Sequence, residues 1–244
     1  MALNATAASI PALIAQRVAA HGGATILRKK DRGIWRSFTW SELGDGMRSA
    51  SLALRAGGFG RGEVAAVLAD TRPEWVIADL GILAAGGVSA GIPPDCTAAR
   101  LGTLLRETSC RVLFVENEEQ FDKALEVRGD CPALRRIVIF DMKGLRDFAD
   151  ADCEDFAGLL ARGAQSPAAT WQADVAAIAA DDRAVLLIPT DPAASVQHLT
   201  HSAVLRAVAE ARAVLQPRPG DERVALLPLS DRLERIHGLY CGLD

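Results

Sequence analysis

EVAAVLADTRPEWVIADLGILAAGGVSAGI, residues 63–92, sets the architecture. EVAAVLA (63–69) and VSAGI (88–92) are short runs with almost no polar residues. Between them, PEWVIADLGILAAGG opens with Pro73, a residue suited to the first turn of a helix, where its missing N–H goes unneeded. Strands that are apolar on both faces and joined by a helix mark a parallel sheet covered on both sides.

The pattern continues downstream. RVLFV (111–115), RIVIF (136–140) and AVLLI (184–188) are further strand-length apolar runs, separated by helical segments at 97–108, 118–128 and 154–162. RVALLPL (223–229) is expected as a last strand, and the chain then enters a helix through ERIHGLYCGLD. Upstream, Ile10, Leu13, Ile14 and Val18 recur at helical spacing. ATILRKKDRGIWRSFTW reads as a hairpin turning at Lys30–Gly33, and a helix capped by Ser41 follows, ending at Gly57–Gly58. The stretch 141–180 is less regular and is expected to bridge two lobes, 1–178 and 179–244.

Composition excludes several classes. Half of the 244 residues are apolar, 24% are charged and the net charge is −4, with no basic run to meet a nucleic acid. No apolar run reaches the roughly 18–20 residues of a transmembrane helix, and the first residues lack the basic region of a secretory leader. The five cysteines (96, 110, 131, 153 and 241) form no C-x-x-C pair. That argues against a disulfide framework or zinc site and for reduced thiols in a cytoplasmic protein.

AVLLIPTDPAASVQHLTHSAVL (184–205) stands where α/β proteins often hold a phosphate: an apolar strand, a polar turn, then a helix. The turn has neither glycine nor lysine, while Pro192 removes a donor and Asp191 adds a negative charge. Thr190, Ser195 and the helix N-terminus at Thr200–His201 are the groups left to face an anion. Without a phosphate, Thr200 or Ser202 serves as an ordinary N-cap of a helix running to about Leu215. His198 and His201 are three apart, but no third metal ligand stands nearby. Glu234 and His237 read as a solvated pair, Trp75 as core, and Cys241 as a thiol without a base. No residue is assigned a catalytic role.

Several collinear segments resemble the AMP-forming long-chain acyl-CoA synthetases of the adenylate-forming superfamily. They include FTWSEL (38–43), GFGRGEVAAVLADTRPEWVIADLGILAAGGVSAGIPP (58–94), LLRETSCRVLFVENEEQFDKALEV (104–127), LTHSAVL (199–205) and LLPLSDRLERIHGLY (226–240). The resemblance implies an α/β fold of mostly parallel sheets flanked by helices, here an incomplete N-terminal domain without the family's C-terminal domain. It implies a degenerate phosphate loop, about two residues short, at Thr190, Ser195, Thr200 and His201. It also implies an acyl-pocket segment at Pro228, Leu229, Ser230, Glu234 and Arg235, with Asp231 replacing the family's histidine. Within it, Glu234 and Arg235 are expected to make structural hydrogen bonds and ion pairs.

The expected function is therefore that of a truncated ligase homologue, inactive in adenylation by itself and acting as a binding or regulatory module. No cofactor is expected for this chain alone; ATP, Mg2+ and CoA apply if a partner restores the family activity. That alternative makes the chain the N-terminal half of a two-chain fatty acid:CoA ligase. The implied partners are a second copy or second chain over the truncated face, and a long-chain acyl ligand.

Overall fold

The computed structural model describes residues 7–145, 147–167, 169–189, 191, 194–218 and 220–244. A first helix, α1 (Ile10–His21), precedes a two-stranded hairpin of β1 (Thr25–Asp31) and β2 (Ile34–Thr39). Arg32 and Gly33 form its two-residue turn, both with positive φ, as the primed hairpin turns require. The helix after it, α2 (Trp40–Ala56), is capped by Thr39 rather than the expected Ser41. Thr39 Oγ1 accepts from Glu42 N while the Glu42 carboxylate accepts from Thr39 N, a reciprocal box that Ser41 has no glutamate to complete.

From β3 (Val64–Leu68) the chain alternates: α3 (Pro73–Ala84), β4 (Val88–Ile92), α4 (Ala98–Glu107), β5 (Val112–Val115), α5 (Glu118–Arg128) and β6 (Arg136–Ile139). The less regular stretch 141–180 holds β7 (Cys153–Asp155), α6 (Phe156–Gln165), near the helix expected at 154–162, and α7 (Trp171–Ala176). Here α6 packs on α2, and Gly163 makes this possible because a side chain there would run into the Ser49 carbonyl. Next come β8 (Arg183–Leu187), β9 (Gln197–Thr200) and α8 (His201–Leu215). The last element is a π-helical segment, Leu233–Tyr240, running into a final turn at Cys241–Leu243.

One sheet of seven strands runs in the order β7-β6-β5-β3-β4-β8-β9. All neighbours are parallel except β9, which is antiparallel to β8. The sheet thus continues from β4 onto β8, joining residues on either side of position 178. α1, α2, α3, α6 and α8 cover one face, and α4 and α5 the other. This is the mostly parallel α/β architecture that the strand pattern implied. Among the described residues no helix is long and apolar enough to cross a membrane.

RVALLPL does not form a strand. Val224, Leu226 and Leu227 are exposed and pair with no strand of either sheet.

Candidate functional site

In open parallel sheets, ligands bind beyond the carboxyl ends of the strands, where successive connections leave in opposite directions. Here that point lies between β3 and β5, since β3 leads to α3 on one face and β5 to α5 on the other. The crevice is closed by internal bonds. The Glu116 carboxylate accepts from Asp70 N at 2.6 Å and from Arg72 Nη1 at 3.4 Å, and Arg72 Nε donates to Glu74 at 2.8 Å. Burial opposes the Arg72 charge, but the two glutamates outweigh it and raise its pKa.

The stretch expected as a strand-turn-helix phosphate site contains an extra strand. The loop after β8 is the tip of a hairpin, with Leu187 opposite Gln197 and Arg183 opposite Thr200. Helix α8 therefore begins at the amino end of β8, four strand residues or about 13 Å from the loop. His201 N donates to Asp182 O and Ser202 N to Ala180 O, holding it there.

Three of the four expected phosphate-loop residues are among the described residues, and each has its own setting. Thr190 lies outside the described residues, as do Pro192 and Ala193. Ser195 lines a wide groove of about 830 Å³ with Ser109, Arg111, Arg183 and His198. Thr200 Oγ1 accepts from Ala203 N at 3.2 Å and so caps α8. His201 is 1% exposed, and its Nδ1 accepts from Ile10 N at 3.3 Å, which satisfies a free donor in the first turn of α1. Burial pushes its pKa down to about 4, with Asp182 opposing. His201 Nδ1 is thereby committed to the N-terminus of α1. Among the described residues the α8 N-terminus does not fit a bound triphosphate, because the N–H groups of His201, Ser202 and Ala203 already donate to Asp182 O, Ala180 O and Thr200 Oγ1.

The segment Pro228–Arg235 lies over β4. Thr71 Oγ1 clamps it, donating to Leu227 O and accepting from Leu229 N. Gly91 permits the contact, because a Cβ there would sit 2.8 Å from Ser230 Cα. Pro228 is exposed and Leu229 buried. Asp231 faces water and accepts from Leu233 N and Glu234 N, which explains how an aspartate is tolerated beside an apolar segment. Glu234 is buried; burial raises its pKa, but the bond from Arg223 outweighs this and leaves it lowered.

Arg235, expected to make structural hydrogen bonds and ion pairs, does so in a network whose other members the sequence did not reveal. Its Nη2 donates to Asp79 Oδ1 and to Ser89 Oγ, and Nε donates to Tyr240 OH. Tyr240 OH and Ser89 Oγ in turn donate to the two Asp79 oxygens, at 2.7 and 2.6 Å. The guanidinium also lies 5.1 Å above the Trp75 ring. Burial pushes the Tyr240 phenol well above its ordinary value. One signal could have found the network: Asp79 is the only charged residue within the apolar run WVIADLGILAAGG, and a buried carboxylate demands donors. Among the described residues no group of three metal-ligating side chains converges.

The AMP-binding enzyme family matches residues 14–243. The chain belongs to that family. As an AMP-binding family member it is 28% identical over 207 residues to the long-chain-fatty-acid–CoA ligase FadD15 of Mycobacterium bovis, covering 83% of this chain and 33% of the relative. It is 31% identical over 125 residues to the long-chain-fatty-acid–CoA ligase ACSBG2 of Rattus norvegicus, covering 51% of this chain and 19% of the relative. The chain thus spans about a third or less of the length of these ligases. Among solved structures it is similar in fold to the anthranilate CoA ligase AuaEII in complex with anthranoyl-AMP, with a TM-score of 0.80 and 20% identity. That match covers 96% of this chain and 43% of the other. The adenylation-carrier didomain of a carboxylic acid reductase from Segniliparus rugosus, in complex with AMP, aligns with a TM-score of 0.77 and 18% identity over 98% of this chain and 38% of that one.

Proposed function

We propose that this AMP-binding family chain represents the first part of a fatty acid:CoA ligase and does not adenylate an acyl substrate by itself. The reading rests on one observation. The loop between β8 and β9 has no glycine and no lysine, and α8 begins at the opposite end of that hairpin. An adenylating site must gather backbone N–H groups and a cation on a triphosphate, and the sequence of this loop carries neither the glycines nor the lysine for it. The ligase relatives supply the expected chemical class: ATP, Mg2+ and CoA are what the completed activity would use, and a long-chain acyl group is the expected ligand of a binding or regulatory role.

ATP–pyrophosphate exchange on the purified chain, with and without palmitate, tests this. No exchange above the rate without enzyme is expected. Acyl-dependent exchange would overturn the proposal.

A further inference from the structure

Arginines stand at the amino end of several strands: Arg111 directly before β5, Arg135 and Arg136 at β6, and Arg183 at β8. Three of these, with Arg162 from α6, line a cavity of about 70 Å³ at the amino edge of the sheet, the edge opposite the crevice described above. Its wall is apolar, formed by Leu54, Phe59, Val112 and Leu159.

The charges around it do not cancel. Glu63 is held by Arg111 at 3.1 Å, and Glu154 by Arg162 at 2.7 Å and by Arg136 at 3.7 Å. Four guanidinium groups against two carboxylates leave a surplus of two positive charges. Arg135 is exposed and has no carboxylate within ion-pair distance among the described residues. The end of α2 also faces the cavity and would repel an anion, but its carbonyls are already engaged. Ala53 O accepts from Arg162 Nη1 and Gly57 N, and Leu54 O from Phe59 N. The cavity therefore presents donors and a net positive field beside apolar side chains, at a size that suits a tetrahedral oxyanion rather than a whole nucleotide. Planar guanidinium groups recognise such anions with paired hydrogen bonds.

We propose that this cavity binds a phosphate group, either as free phosphate or as the end of a phosphomonoester. The site is independent of adenylation and lies outside the loop between β8 and β9.

Calorimetric titration of the full chain with inorganic phosphate and with glycerol 1-phosphate, at constant ionic strength set by chloride, tests it. Saturable one-to-one binding is expected, weakened at least about five-fold in Arg135→Ala and unchanged in Arg183→Ala, which lies outside the cavity. Arg135 makes no structural ion pair, so its loss leaves the fold intact; unchanged circular dichroism confirms this. Tighter glycerol 1-phosphate binding assigns the phosphomonoester, and tighter phosphate binding the free anion. Heats no larger than a chloride control, or equal binding by Arg135→Ala and the parent, would overturn the site.

Discussion

Arg235 donates through Nη2 to the Asp79 carboxylate, 156 positions earlier in the chain, and both side chains are fully buried. Asp79 sits on α3 and Arg235 on the π-helical segment, so this pair ties the last 20 residues to the centre of the sheet. In a helix closed by i→i+5 bonds, residues five apart lie close together, which brings Tyr240 to the same carboxylate as Arg235.

Removing one partner strands the other. Arg235→Met is expected to cost about 3–5 kcal/mol, because Asp79 stays buried with two neutral donors and no cation. The double change Asp79→Leu with Arg235→Met should recover most of that loss. Urea unfolding of the four proteins of this cycle measures the coupling; additive losses would show that the pair is not a unit.

His201 gives stability a pH dependence of definite sign. Its folded pKa of about 4 lies below the unfolded value of 6.5, so the unfolded chain binds the proton more readily. The contribution is present in full above pH 6.5 and is lost as pH falls towards 4, on the order of 3 kcal/mol. Unfolding midpoints between pH 7.5 and 4 should fall less steeply in His201→Gln than in the parent protein. Equal slopes would remove His201 from the account.

Close backbone approach at β4 predicts a steric cost. In Gly91→Ala the new methyl meets Ser230 Cα at 2.8 Å and the Trp75 ring at 3.2 Å. Neither neighbour is a flexible chain end, so a loss of about 1–3 kcal/mol is expected, with a shift in tryptophan emission as the segment lifts. An unchanged melting temperature would mean that the Ser230 segment is loosely held.

The thiols should be inert in the folded protein. Burial pushes Cys110 up to about 12, and burial with Asp150 pushes Cys153 up to about 11. At pH 8 both are therefore protonated and poor nucleophiles. Peptide mapping after brief iodoacetamide treatment should find both unmodified until denaturant is added.

Much of the architecture was legible because apolar periodicity reports burial directly. The strands at 64–68, 88–92 and 112–115 and the helix at 118–128 lie where their patterns place them. RVALLPL carries the same local signal and forms no strand, since strand pairing needs an edge that local sequence cannot supply. The cap of α2 moved from Ser41 to Thr39 because the reciprocal bond with Glu42 selects the residue three before it.

The site divides in the same way. The absence of glycine and lysine from the loop after β8 was evident from its sequence, and membership of an α/β class from the alternation of apolar strands and helices. The hairpin that carries α8 away from that loop was not, because β9 (Gln197–Thr200) is short and mostly polar and its pairing with β8 is a tertiary contact. Glu234 and Arg235 were expected to make structural hydrogen bonds and ion pairs and do so, but their partners Arg223 and Asp79 are set by packing. Sequence determines which groups exist and the local geometry they prefer; tertiary structure alone decides which buried charges meet, because that depends on contacts between residues far apart in the chain.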